Sequence, residues 1–180
     1  MDIYKREIER KFVLKGVTYG HAFVWLANRT SMTANSESFD QYWKGTGVDF
    51  IRLRENSHEI TVKVTDKGTV VDRIEENVEV SPEAMEDARR ALTLMFGPSC
   101  LTLTKRYSVF DAEIIPAPDT KFKAIICLYE VENDPEQRVF FEIEAESLTI
   151  VDEFVQRMPK DFTLTTETRS LFQIFYENTK

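Results

Sequence analysis

The sequence predicts an α+β protein that is mainly β, its strands closed into a barrel with helices packed outside. Three observations lead there. Many short runs alternate polar with aliphatic residues, the period of a strand. The polar sides of those runs repeat one arrangement of acids and bases: Glu7, Glu9 and Lys11; Arg52 and Arg54; Lys63; Arg73 and Glu75; Arg106; Glu142 and Glu144. Solvated faces usually mix Lys, Glu, Thr and Gln without such pairing. Helix-like segments at 18–29, 81–96 and 147–157 are available to cover aliphatic sides turned outward. Closing the strands with the ionic sides inward gives a polar tunnel. An ordinary sandwich with its charged faces in water explains any one strand, but it explains the set poorly.

The elements follow in order. Ile3 to Leu14 is the first strand. Lys15-Gly16 breaks it, and Thr18 to Arg29 reads as a helix with Phe23, Leu26 and Ala27 on its apolar side. Thr30 to Glu37, rich in Ser, Thr and Asn, reads as a loop, and Ser38 to Trp43 as a short strand. Asp49 to Glu55 places Phe50, Arg52 and Arg54 opposite Ile51 and Leu53. Glu59 to Thr65 places Thr61, Lys63 and Thr65 opposite Ile60, Val62 and Val64. After a turn at Asp66-Lys67-Gly68, Asp72 to Val80 places Arg73, Glu75, Asn77 and Glu79 opposite Ile74, Val78 and Val80. Ser81 as cap and Pro82 in the first turn open a helix whose buried side is Ala84, Ala88, Ala91, Leu92 and Met95. Gly97-Pro98 stops it. Cys100 to Asp111 is a long strand, 114–119 a proline-containing loop, and Lys121 to Val131 a further strand. A turn at 132–136 leads to Arg138 to Ala145, which carries Phe140, Glu142 and Glu144 together. Ser147 to Arg157 is a helix with Leu148, Val151, Phe154 and Val155 inward, and Ser170 to Tyr176 a short terminal helix.

The chain has 180 residues, 42% hydrophobic and 30% charged, which suits one well-buried domain spanning 1–180. A formal net charge of −8 argues against general nucleic-acid binding and against an anionic membrane surface. No apolar run approaches transmembrane length. Two cysteines, Cys100 and Cys127, suggest reduced thiols and a cytoplasmic location. His21 and His58 lack the spacing of metal ligands.

The ionic residues themselves suggest a chemistry. Glu7 and Glu9, two apart on one strand, offer hard oxygen donors suited to Mg²⁺ or Mn²⁺. Lys11 beside them makes sense if the ligand is an anion such as a metal-bound phosphate. The same stretch also reads as an exposed strand with a solvated charged face. Arginine pairs suit bidentate recognition of oxyanions. Burying so many charges is costly unless they pair with one another or with ligands, and a triphosphate with its metal would satisfy both sets.

Glu7-Ile8-Glu9-Arg10-Lys11-Phe12 resembles the Glu-x-Glu-x-Lys signature of the CYTH family, within the triphosphate tunnel metalloenzymes. Six further segments resemble that family's pattern in the right order. They are Asp40-Gln41-Tyr42-Trp43, Arg52-Leu53-Arg54-Glu55, Lys63, Arg73-Ile74-Glu75, Glu142-Ile143-Glu144 and Arg169-Ser170-Leu171-Phe172. There are departures. Lys105 directly precedes Arg106 where the family has Lys-x-Arg, so alternation keeps Arg106 inside and turns Lys105 out. Glu130 stands where an aspartate is common, and Asn77 interrupts a Glu-x-Glu.

The resemblance implies an eight-stranded antiparallel tunnel. It implies a metal, Mg²⁺ or Mn²⁺, at Glu7, Glu9 and Glu144 with Glu142 close by. It implies phosphate binding by Lys11, Arg52, Arg54, Lys63, Arg73 and Arg106, with Glu75 and Glu79 aiding a second metal or orienting the basic groups. Lys11, Arg52, Arg54 and Glu75 are the candidate catalytic residues. The expected activity is metal-dependent hydrolysis of a small triphosphate-containing molecule, inorganic or organic, by a monomer or homodimer. The alternatives are a class IV adenylate cyclase, which converts ATP to cyclic AMP and pyrophosphate, and a non-catalytic tunnel that binds a phosphorylated ligand.

Overall fold

The computed structural model describes residues 8–65, 73–117 and 120–177. In chain order these form β1 (Ile8–Lys15), α1 (Tyr19–Ala27), β2 (Ser31–Trp43), β3 (Phe50–Arg54), β4 (Glu59–Thr65) and β5 (Arg73–Glu79). A 3-10 turn at Pro82–Ala84 leads into α2 (Met85–Phe96). Then come β6 (Leu101–Ala117), β7 (Thr120–Val131), β8 (Val139–Ala145), α3 (Leu148–Gln156), β9 (Thr163–Glu167) and α4 (Leu171–Glu177). The nine strands are hydrogen-bonded in the order β5-β4-β3-β2-β6-β7-β8-β1-β9. The described ladders are antiparallel. The mainly-β antiparallel expectation therefore holds, with nine strands instead of eight. Among the described residues the order ends at β5 and at β9, so hydrogen bonding does not close the sheet into the expected barrel.

The chain divides into two compact units. The first takes the chain up to Ser36 together with Arg106–Thr168, and the second takes Glu37–Lys105 and the chain from Arg169 on. In the first unit, Phe12, Leu14, Ile126, Leu128, Val139, Phe141 and Ile143 stand on one side of β1, β7 and β8. Tyr19, Ala22 and Leu26 of α1 and Ile150, Val151 and Phe154 of α3 pack with them. The helices thus bury the aliphatic side, as the alternation requires. In the second unit Trp43, Ile51 and Leu53 form the aliphatic side, and α2 covers it with Met85 and Leu92.

Several boundaries differ from expectation. Of the polar segment expected as a loop, 30–37, residues 31–37 form the first half of a 13-residue β2. Ala34, Asn35 and Glu37 have weak strand preference, and pairing with neighbouring strands overrides it. Likewise β6 continues to Ala117, through Pro116, whose fixed φ is compatible with extended backbone. The strand β9, Thr-Leu-Thr-Thr-Glu, has no alternating apolar signal, and it forms by pairing along β1. The expected turn at 66–68 lies outside the described residues.

Ser81 precedes a 3-10 turn, its side chain makes no cap hydrogen bond, and α2 starts only at Met85. Ala84 and Ala91 are exposed and Met95 is 71% exposed, so Met85 and Leu92, two turns apart, form the buried edge instead. In α3 Ile150 replaces Leu148 on the buried side. Gly97, at φ 82°, ends α2 in a conformation that glycine adopts without steric cost. No described helix is long and apolar enough to cross a membrane.

Ile143 has no exposure and sits in the middle of the first unit's core. Truncating it to alanine should cost about 2–5 kcal/mol of stability. Urea unfolding of Ile143→Ala beside the parent checks this, and a loss within error of zero would contradict the assigned core.

Candidate functional site

Each unit carries an ionic sheet face opposite its helix-covered side. In the second unit the register sets this face row by row. Asp40 stands opposite Arg54, and Tyr42 opposite Arg52. Arg54 stands opposite Glu59, Arg52 opposite Thr61, and Phe50 opposite Lys63. Lys63 then faces Glu75, Thr61 faces Asn77, and Glu59 faces Glu79. The sequence-predicted Arg52, Arg54, Lys63 and Glu75 thus share one face across three strands.

Asp40 anchors it. Its side chain has no exposure, and a carboxylate so buried needs charged partners. Arg54 supplies a fork: Nε donates to Oδ1 at 2.9 Å and Nη2 to Oδ2 at 3.2 Å. Lys105 Nζ lies 3.3 Å from Oδ2. Burial alone would raise the Asp40 pKa. The Lys105 charge, the Arg54 hydrogen bond and the Arg54 and Arg52 charges outweigh it and hold the carboxyl well below the usual range. Burial would lower the Arg54 pKa, but the Asp40 hydrogen bond and charge outweigh it and the pKa is raised. Tyr42 is raised by burial and by the Asp40 charge, so its phenol stays protonated and donates to Asp40 Oδ2 at 3.4 Å.

Arg52 Nη2 donates to Thr61 Oγ1 at 2.7 Å and to Glu59 Oε1 at 3.3 Å, and lies 3.9 Å from Glu75. Arg52 Nε is buried and has no hydrogen-bond partner among the described residues. Lys63 Nζ is 2.8 Å from the other oxygen of Glu75. Burial would raise the Glu75 pKa, but the charges and hydrogen bonds of Lys63, Arg52 and Asn77 lower it. Glu75 therefore stays ionised and is a weak base near neutral pH. It is placed to orient two cations.

In the first unit, β1 and β8 set Glu9 opposite Glu144 and Lys11 opposite Glu142. Lys11, 7% exposed, has its Nζ 3.2 Å from Glu142 Oε1, and Tyr129 donates its phenol to the same oxygen at 2.6 Å. Burial, then the Glu142 charge and hydrogen bond, push the Tyr129 pKa well up, so it remains a donor. Like charges directly opposite on two strands repel, and a cation between Glu9 and Glu144 would offset that. The all-oxygen donor set matches a hard divalent ion in chemistry. Among the described residues no three such groups converge on one ion position, and Glu7 lies outside them. Glu144 also lines a cleft of about 820 Å³ formed by the α1–β2 connection with β6, β7 and β8, together with Asp111, Glu113 and Lys123.

One expected basic residue, Arg106, stands elsewhere, and of another, Arg73, only the backbone is described. The side chain of Arg73 lies outside the described residues, and its backbone opens β5 opposite Thr65. Arg106 is about half exposed, with its guanidinium 4.2 Å from the Tyr19 ring of α1 and 3.7 Å from Glu130. It stands on the helix-covered side of the first unit, where the adjacent Ser108 hydroxyl lies 2.7 Å from the Tyr19 phenol. Lys105, expected to turn out, is the buried one and joins Asp40. Alternation fixes only that the two point oppositely, and strand pairing chooses which side each takes. Asp40, Glu59 and Tyr129 were not expected as site residues. Asp40-x-Tyr42 on one strand face was a usable signal, but nothing local pointed to Glu59 or Tyr129.

No protein-family model matches the chain, and no curated protein matches it by sequence. Solved structures do. A conserved hypothetical protein from Pyrococcus furiosus superposes with a TM-score of 0.68 at 16% identity, over 94% of this chain and 99% of that one. An adenylyl cyclase candidate from Hippeastrum, named for a dominant triphosphatase activity, gives 0.67 at 13% identity, over 97% and 96%. An adenylate cyclase candidate from Bacillus halodurans gives 0.60 at 18% identity, over 96% and 98%. The chain shares their fold.

The Asp40 carboxyl is depressed below its unfolded value of about 3.9. Its stabilisation is thus complete above about pH 4 and is lost as pH falls through the native value. Asp40→Asn should be less stable by about 3–5 kcal/mol at pH 7. Its urea midpoint should also fall less steeply than the parent's below pH 4. Parallel curves from pH 7 to pH 2 would show that Asp40 is not the titrating anchor.

Proposed function

We propose that this chain is a divalent-metal-dependent phosphohydrolase acting on a triphosphate, a triphosphate tunnel metalloenzyme of the CYTH type. The observation that carries the reading is the second unit's ionic face. Arg52, Arg54, Lys63 and Lys105 share it, each oriented by a carboxylate, and Arg52 keeps one buried nitrogen unpartnered. Guanidinium and ammonium groups so fixed are suited to phosphate oxygens. The triphosphatase activity in the name of the Hippeastrum protein, which shares the fold, supports the same substrate class. The closed tunnel of that superfamily belongs to this proposal, as does a cytoplasmic setting.

The reaction is hydrolysis of a phosphoanhydride. Water adds to the terminal phosphorus, the bridging P–O bond breaks, and orthophosphate and the shortened phosphate leave. Arg52, Arg54, Lys63 and Lys105 hold the phosphate chain and stabilise the charge that builds on its oxygens. Glu75 keeps Arg52 and Lys63 aimed while they do so. On the first unit's own face Lys11, held by Glu142, is a further cation suited to a phosphate oxygen. Arg73 is assigned to the same role. Glu9, Glu142 and Glu144, with Glu7, would hold Mg²⁺ or Mn²⁺, which when bound neutralises phosphate charge.

A second reading is favoured by the names of two structures that share the fold, both adenylate cyclase candidates. The same groups would then hold the phosphates of ATP. The 3′-hydroxyl would attack the α-phosphorus, and pyrophosphate would leave.

Tripolyphosphate should be turned over with Mg²⁺ or Mn²⁺, and chelation should stop turnover. Arg52→Ala should lower kcat/KM by about 10²–10³, and Glu9→Ala should lower the rate by a comparable factor. Phosphate release equal to wild type in both variants would sink the reading. Incubation with Mn²⁺ and ATP separates the two chemistries. Cyclic AMP as the main product would establish the cyclase, and ADP or AMP the hydrolase.

A further inference from the structure

Among the described residues three buried side-chain polar atoms lack a hydrogen-bond partner: Arg10 Nε, Ser38 Oγ and Arg52 Nε. Arg10 belongs to the first unit, on the side of β1 that carries Phe12. The other two lie in the second unit, on one face. Alternation along β2 places Ser38 with Asp40 and Tyr42, and Tyr42 stands opposite Arg52. Ser38 is 1% exposed.

A hydroxyl taken from water without a partner loses its hydration and gains nothing in return. The charged groups of this face do not relieve it. Asp40 is occupied by Arg54, Lys105 and the Tyr42 phenol. A strand needs no serine for its conformation, and at a fully buried position an aliphatic residue packs better. A buried serine hydroxyl on a face rich in cations is explained by an acceptor that arrives from outside the chain. That acceptor is an anionic oxygen.

We infer that Ser38 is a phosphate ligand, donating its hydroxyl proton to a non-bridging oxygen of a bound phosphate chain. The assignment rests on the proposed triphosphate reading and adds to it a neutral donor outside the basic set. Tyr42 is four positions on from Ser38, so at about 3.3 Å per residue Ser38 stands about 13 Å along the strand from the Tyr42–Arg52 row. Ser38 thus offers its hydroxyl from a different row of the face than Arg52.

The test compares Ser38→Ala with wild type in two measurements. The first is the urea midpoint without ligand. The second is calorimetric titration of tripolyphosphate, in EDTA and again with Mg²⁺. Ser38→Ala should be as stable as wild type or more so, because it removes a polar group that has no partner in the fold. It should bind tripolyphosphate about tenfold or more weakly, the loss of one hydrogen bond to a charged acceptor. Loss of ligand-free stability would overturn the inference, since the hydroxyl would then have a partner within the protein. Unchanged affinity beside clear wild-type binding would overturn it while leaving the triphosphate reading intact. Absence of wild-type binding in both buffers would remove that reading, and this inference with it.

Discussion

Side-chain alternation couples the two sides of every strand. Burying Phe12, Phe141 and Ile143 under α1 and α3 obliges Glu9, Lys11, Glu142 and Glu144 to share the opposite side. Burying Ile51 and Leu53 under α2 does the same for Arg52 and Arg54. A slip of one residue in either ladder would send charge into the core and expose the aliphatic set. The hydrophobic effect therefore fixes the register, and the register places the ionic groups. The site chemistry needs no separate folding determinant.

Charge balance makes those faces tolerable. On the second unit's face the cations do not stand alone: Arg54 and Lys105 share Asp40, while Arg52 and Lys63 share Glu75. Holding a guanidinium in place with carboxylates limits its freedom before any ligand arrives, and fixed donors lose less entropy on binding than mobile ones. The same pairing lowers the pKa of Asp40 and Glu75, so both remain anions at neutral pH and act as orienting groups. On the first unit's face the Glu9–Glu144 opposition is the like-charge arrangement that a bound cation would relieve.

Shared fold and shared chemistry are separate matters. At 13–18% identity the similar structures establish the architecture, and architecture hosts many functions. The proposal of a triphosphate rests on the local pattern, in which basic side chains on adjacent strands are each oriented by an acid. The orphaned Arg52 Nε and Ser38 Oγ sharpen it, because native proteins seldom leave buried polar atoms unpaired.

Most strands and their two-sidedness were legible in the chain alone, as were the polar sides that carry Arg52 and Arg54, Lys63, and Glu75 on their separate segments. All of these follow from period-two patterns confined to single segments. The sequence also determined that helices would back the aliphatic sides, because amphipathic helices need a partner surface. Tertiary structure decided what depends on partners distant in the chain. The polar first half of β2 and the threonine-rich β9 become strands only because neighbours supply hydrogen bonds. The opposition of Glu9 and Glu144 exists only in the β1–β8 register. Lys105 and Arg106 show the division most clearly. Their adjacency required them to point to opposite sides, but only the pairing of β6 sent Lys105 to Asp40 and Arg106 to the Tyr19 ring. Local periodicity constrains relative orientation along one strand, and absolute orientation is set by the surface that the strand packs against.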